Sequence, residues 1–336
     1  MRQLILTILF FGGVVVLPFQ AHALTISPVK IEISGDPGQI LQGELTLFNE
    51  QDETKTFYSS FENFEARGET GAPFFLPERV GFATWITAQE HVTLKPKQEK
   101  IIPFSIQIPK NAQPGGHFSA ILWGTTSPQA VEGGQVAVGG RLGVLILLKV
   151  SGEVKEGGGL LEFGASSSRE NAGKQGKDNE KKFSSLPIHF AYRFNNTGGD
   201  RMIPQGEIKI KNIFGFTSAT ISANTKEGSV LPGSARKFET LWGEELQKTD
   251  SGGNPRFFEM AAKQWSEFHF GWYTAELNLV WGATNQTASA TYHFFIIPWQ
   301  LLLILIIILA VIGFLGIGGL KKYNRWIISK ASRPPA

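Results

Sequence analysis

From Trp299 to Leu320 the chain carries no charged side chain, and Leu301 to Ala310 is almost wholly Leu and Ile. Coiled at about 1.5 Å per residue, such a run makes roughly 33 Å of helix, enough for a hydrocarbon core of about 30 Å. Nothing amphipathic survives in it, which argues against a helix half-buried in a globular core. Trp299 stands at one end and Tyr323 and Trp326 near the other, where interfacial aromatics belong. Lys321, Lys322, Arg325, Lys330 and Arg333 follow, with no acidic residue among them. This asymmetry predicts a single-pass integral protein of the cell membrane. Its parts are a transmembrane helix at 298–320, a basic cytoplasmic tail at 321–336, and an outer region from Leu24 to Pro298.

The other end agrees with export. Arg2, an apolar stretch from Leu4 to Leu17, Pro18 and then Ala21-His22-Ala23 follow the order of a secretory signal. The stretch is shorter than the ~20 residues that a span needs. A signal peptide is therefore expected at 1–23, cleaved between Ala23 and Leu24. The formal net charge of +3 sits in Arg2 and the tail, and the region between them is acidic. That balance gives no reason to expect a nucleic-acid partner. The chain has no cysteine, so an exported fold must be held by its cores alone, which suits a bacterial envelope.

Between the two ends the hydrophobic pattern has period two. Val29, Ile31 and Ile33 alternate with Lys30 and Glu32; Ile102, Phe104, Ile106 and Ile108 alternate again, as do Ile208 and Ile210 against Lys209 and Lys211. These are strands with one face on a core. Only Phe257 to Phe268 reads as a short helix. An internal echo divides the region. Leu47-Phe48-Asn49, the turn Leu94-Lys95-Pro96 and the strand Gly116-His117-Phe118-Ser119-Ala120 return as Arg193-Phe194-Asn195, Leu231-Pro232-Gly233 and Gly271-Trp272-Tyr273-Thr274-Ala275. The predicted fold class is all-β: two tandem immunoglobulin-like β-sandwiches, 24–152 and 153–297, plus the C-terminal transmembrane helix. Tyr273 is the candidate for a tyrosine corner. The polar run 165–182 is expected to be a flexible loop within the second copy.

Catalytic constellations do not emerge from the sequence. His91, His117, His189, His269 and His293 are scattered singly on strands, and no spacing matches a zinc site. Ser234-Ala235-Arg236-Lys237 has the letters of a Ser-x-x-Lys motif, but it follows Pro-Gly into a strand. There, positions three apart face opposite ways, whereas the chemistry needs them one helical turn apart. Neither an enzyme nor a cofactor is expected. What remains is aromatic: Phe74, Phe75, Trp85 and Trp123 are placed in or beside loops of the first domain. Trp85 and Trp123 are the candidate ligand contacts, as rings that stack on a sugar or peptide.

The order of elements resembles bacterial WxL-interacting proteins. The resemblance rests on Pro28-Val29-Lys30-Ile31, Asp36-Pro37-Gly38, Leu45-Thr46-Leu47-Phe48-Asn49, Val92-Thr93-Leu94-Lys95-Pro96 and Ile108-Pro109-Lys110-Asn111-Ala112-Gln113-Pro114-Gly115, and on the overall layout. It implies a non-catalytic binding or scaffolding protein of the envelope, with peptidoglycan and surface proteins as partners. The residues leave a second reading open, a subunit of a secretion or pilus-like membrane complex that docks by strand addition.

Overall fold

The structure is a computed structural model describing residues 24–126, 140–167, 180–244 and 256–331. The expected signal segment 1–23 with Ala23, residues 168–179 of the expected loop, and 332–336 of the tail lie outside the described residues. Leu24 is the first residue of the first strand.

The first half of the chain forms β1 (Leu24–Ser27), β2 (Lys30–Gly35), β3 (Ile40–Asn49), β4 (Lys55–Ala66), β5 (Pro73–Leu76), β6 (Ile86–Ala88), β7 (His91–Leu94), β8 (Glu99–Gln107), β9 (Gly115–Gly124) and β10 (Leu142–Val150). One sheet has the order β1-β3-β8-β6; the other runs β2-β10-β9-β4-β5, with β7 also paired to β4. The alternation expected on β8 is present: Ile102, Phe104 and Ile106 are buried while Ile101 faces out. On β2 the inward alternation starts at Ile31, two residues late. Val29, expected inward, precedes the strand and is 74% exposed.

The second half forms β11 (Gly158–Ser166), β12 (Lys182–Phe183), β13 (Ile188–Asn196), β14 (Gln205–Asn212), β15 (Thr217–Ser222), β16 (Ser234–Trp242), α1 (Phe257–Ser266), β17 (Gly271–Trp281), β18 (Gln286–Ile296) and α2 (Trp299–Ala331). Its sheets are β11-β13-β16 and β12-β18-β17-β14-β15. Ile208 and Ile210 of β14 turn inward as expected, onto Phe190, Tyr192, Phe194, Leu277 and Phe294. Aromatic rings fill much of this core: Tyr192 stacks on Phe238 at 4.9 Å, and Phe194 meets the edge of Trp281 at the same distance. The fold is all-β, two immunoglobulin-like sandwiches followed by one helix. That helix, Trp299–Ile328, is long and apolar enough to cross a membrane, with a mean hydropathy of 3.2 over its most apolar 18 residues. It continues past Leu320 because no proline or glycine follows until Pro334.

Two expectations change in detail. The compact units are not contiguous in sequence. One takes the chain up to Asn63, Pro77–Ala112 and Phe118–Leu148; the other takes Phe64–Leu76, Gln113–His117 and everything from Lys149. The second correction concerns the ends of 165–182, which are not loop. Ala165 and Ser166 are fully buried in β11, whose apolar alternation simply continues through them. From the other end the Glu180 amide donates to the Ala165 carbonyl at 3.0 Å, and Lys182 begins β12.

Candidate functional site

Buried polar side chains are the natural place to look for chemistry, and most of them are committed to the scaffold. Asn49 ends β3 with its side chain fully buried. Its Nδ2 donates to the carbonyls of Leu94 (3.2 Å), Lys95 (3.1 Å) and Glu53 (2.9 Å), and its Oδ1 accepts from the Gln51 amide (3.1 Å). At the end of β13, Asn196 donates to Val230 (2.8 Å) and Asp200 (2.7 Å) and accepts from the Gly198 amide (2.8 Å). Each asparagine ties the end of a strand to the proline-containing turn that leads into another. Left unmade, these bonds would strand several buried backbone groups. The repeated Asn is therefore structural, and in the second copy it is Asn196, not the Asn195 that the sequence aligned.

A charged cluster in the second unit behaves in the same way. Arg193 of β13 donates from Nε to both carboxylate oxygens of Glu69 at 2.8 Å and from Nη1 to Glu162 at 2.6 Å. Burial works against its charge, but the bonds to the two carboxylates outweigh that and raise its pKa. The Glu69 carbonyl also accepts the Lys237 amide at 2.8 Å, so the segment 64–76 covers the outer edge of β16. Among the described residues no three His, Asp or Glu side chains gather as a metal site. Tyr273 is buried and stacked on Phe294 at 5.7 Å. Burial raises its pKa, and a hydrogen bond with the Phe270 backbone opposes the shift, a contact a few residues upstream as in a tyrosine corner.

The two candidate tryptophans part company. Trp123 is 0% exposed on β9 and belongs to the first core, with no face for a ligand; its indole N–H has no partner among the described residues. Trp85 follows the 3-10 turn Gly81–Thr84 and is half-buried, with its ring edge-on to Phe82 at 5.5 Å. Phe74 and Phe75 lie on β5, within the second unit; Arg67 sits 3.2 Å over the Phe74 ring and Phe75 meets Phe64 at 6.1 Å. Among the described residues, each unit carries a hollow. One of about 580 Å³ on the first unit lies beside Gln42, Glu44, Gln89 and Phe104. One of about 400 Å³ on the second unit is lined by Lys149, Glu156, Asp200 and Trp281. In the latter, Glu156 accepts from the Ala283 amide (2.8 Å) and the Thr284 hydroxyl (3.0 Å), which hold its pKa low. Its charge is already satisfied by the turn it caps.

The feature with unused binding capacity is an edge. β15, Thr217-Ser218-Ala219-Thr220-Ile221-Ser222, ends its sheet and carries neither charge nor proline. The Ala223 amide bonds to the Gly206 carbonyl at 3.0 Å, and the register then pairs Ile208 with Ile221 and Ile210 with Ala219. Bonded positions alternate in an antiparallel pair. Ala219 and Ile221 therefore exchange bonds with β14, while Thr220 and Ser222 direct their N–H and C=O groups outward. Other edges are blunted. β16 is covered at Lys237, β11 has its Ala165 carbonyl taken by Glu180, β2 carries Lys30 and Glu32, and β1, β5 and β6 are short. Sequence reading passed over β15 because its alternation is weak: only Ile221 is a large apolar residue.

No protein-family model matches the chain, and no curated protein does. Among solved structures it is similar to the class 5 fimbriae chaperone CfaA, at 10% identity over 81% of this chain and 99% of that one, with a TM-score of 0.35. A chain of the Salmonella enterica SafA pilin–SafB chaperone complex matches at 7% identity over 82% and 97%, TM-score 0.35. The CsuC–CsuE chaperone–tip adhesion subunit complex of Acinetobacter baumannii matches at 10% identity over 82% and 99%, TM-score 0.33. At such identities and scores the likeness carries no argument about partner or chemistry.

Proposed function

We propose that this chain is a non-catalytic, membrane-tethered binding protein that takes up an extended segment of an envelope partner by strand addition along β15. The observation that carries the reading is the outward row at Thr220 and Ser222 on an uncharged edge, left open where the other long edges are covered or charged. Main-chain bonds supply affinity in this mode, and alternate side chains supply selectivity. In this reading α2 spans the membrane, with both sandwiches outside and the basic tail in the cytoplasm.

The test places a photo-crosslinking amino acid at Thr220 in the full chain in cells and compares it with Thr220→Pro carrying the cross-linker at Ser222. The Thr220 amide points away from β14, so proline there removes no bond of the sheet but blocks an added strand. The expected result is one discrete protein adduct that disappears with the proline while circular dichroism is unchanged. An adduct indifferent to the proline overturns strand addition. Sedimentation of both variants with purified sacculi, to the same extent, would instead favour the cell-wall contact that the resemblance to WxL-interacting proteins implies.

A further inference from the structure

One end of the second sandwich has its polarity reversed. The end is defined by register: Asn212 pairs with Tyr273 and Gly271 with Ile296, so the β14–β15 hairpin tip, the start of β17 and the end of β18 lie together. The chain passes from Ile296 through Ile297 and Pro298 directly into α2. At the hairpin tip, Ile213, Phe214 and Phe216 are exposed, Phe214 by 80%. Helix α1 packs against the start of α2, with Phe257 and Trp299 rings 5.7 Å apart and the Leu301 amide 3.3 Å from Gln264 Oε1. A helix in water would bury its aromatics and expose its polar residues. α1 does the opposite: Lys263 and Gln264 are buried, Lys263 donating to the Glu244 carbonyl at 2.9 Å, while Phe258 and Trp265 are 76% and 77% exposed. Phe258, Ala262 and Trp265 share one face at i, i+4 and i+7. Trp272 is exposed beside them at the start of β17.

Large aromatics turned outward around the root of an apolar helix match the bilayer interface, where rings settle at the level of the headgroups. We propose that this end of the second sandwich is seated in the membrane surface. The tip Ile213–Phe216 and the outer face of α1 would dip into the headgroup and upper acyl region. The occupant is lipid, by continuity with α2, and the inference rests on the reading that α2 spans the bilayer. The sandwich is then fixed in orientation, and the open edge of β15, which starts at Thr217, runs outward from the membrane surface.

The absence of cysteine makes the test clean. Full chains carrying one of Phe216→Cys, Ala262→Cys, Ala283→Cys or Leu309→Cys are labelled with an environment-sensitive fluorophore and placed in nanodiscs whose lipids are spin-labelled at a shallow acyl position or, in parallel, near the end of the acyl chain. Phe214, Phe258 and Trp265 stay intact in all four. The expected result is blue-shifted emission quenched by the shallow label at 216 and 262 and by the deep label at 309, and water-like, unquenched emission at 283, which lies at the far end of the same sheet. Quenching at 309 with water-like emission at 216 and 262 overturns the inference while the anchor stands. A blue shift at 216 or 262 without lipid quenching also overturns it, since a second protein copy then covers the patch. No quenching at 309 removes the anchor and the inference with it.

Discussion

The two sandwiches share a corner and differ at an end. Asn49 and Asn196 sit at equivalent places, each buried and each tying a strand to a proline-containing turn. Among the described residues, the second sandwich alone adds a helix with outward aromatics and an exposed hairpin tip, both beside the start of α2. The corner obeys the rule that buried polar groups find partners. The aromatic end breaks the rule that large apolar side chains go inside a protein in water. What is common to the copies builds the fold, and what the second copy adds is an interface.

The comparison can be broken first at the cores. Trp123→Ala removes the largest fully buried side chain of the first unit and should cost about 3–5 kcal/mol. Trp85→Ala, truncating a half-buried ring, should cost much less. Hydrogen exchange on the full chain reads each unit separately: protection should fall in β3, β8 and β9 for Trp123→Ala, and barely move for Trp85→Ala. Equal losses in both units would mean that the two cores do not fail independently.

Deleting residues 165–182 affects the second unit alone. The deletion takes the end of β11, the 3.0 Å bond from the Ser166 hydroxyl to Glu180, and the 2.7 Å bond from the Tyr292 hydroxyl to the Glu180 carbonyl. At 0.5–1.5 kcal/mol for each hydrogen bond, with burial of Ala165 added, the loss should be about 2–4 kcal/mol. A deletion confined to 168–179 spares those contacts. If both deletions lower the melting temperature of the second unit equally, the bonds around Glu180 are not what holds that edge.

How far the chain could be read before folding depends on the range of the signal. Period-two alternation marked β8 and β14 correctly because each residue's face follows from its neighbour's. Phe257 to Phe268 was legible as a helix, and α1 ends only two residues earlier. The asparagine echo was legible too, but Asn195 and Asn196 are the same letter, and only burial of the second tells which one turns inward. Other features could not be read. Glu69 joins Arg193 across a separation of 124 residues, which moves the segment 64–76 into the second unit. Trp123 looked like a ring beside a loop because the depth of a strand's end is a tertiary property. The exposed face of α1 needed the structure as well, since the letters of Phe258 and Trp265 do not say whether the helix turns them inward or outward.

The shared corner yields a paired prediction. Asn49→Ala and Asn196→Ala each strand buried carbonyls of a proline-containing turn, and each should destabilise its own unit by about 1–3 kcal/mol. Similar values, read by exchange in β7 and β8 for the first and β13 and β16 for the second, would support one corner used twice. A loss at one site and none at the other would reduce the echo to a coincidence of letters.

The smallest expected effect separates the units by pH. All the buried tyrosines, Tyr192, Tyr273 and Tyr292, lie in the second unit. Burial raises the pKa of each, and for Tyr292 burial, with the Glu180 carboxylate nearby, pushes it up to about 12 from 10.0. A phenol whose folded pKa lies above its unfolded value favours the folded state while protonated. Its contribution is whole below pH 10.0 and is lost as pH climbs toward 12. The second unit should therefore lose protection in that window before the first. Tyr292→Phe tests the cause: it forfeits the bond to the Glu180 carbonyl, about 1 kcal/mol near neutrality, but should flatten the alkaline loss. If the variant falls as steeply as the parent between pH 10 and 12, the alkaline sensitivity lies with Tyr192 and Tyr273, and their phenylalanine variants should carry the flattening instead.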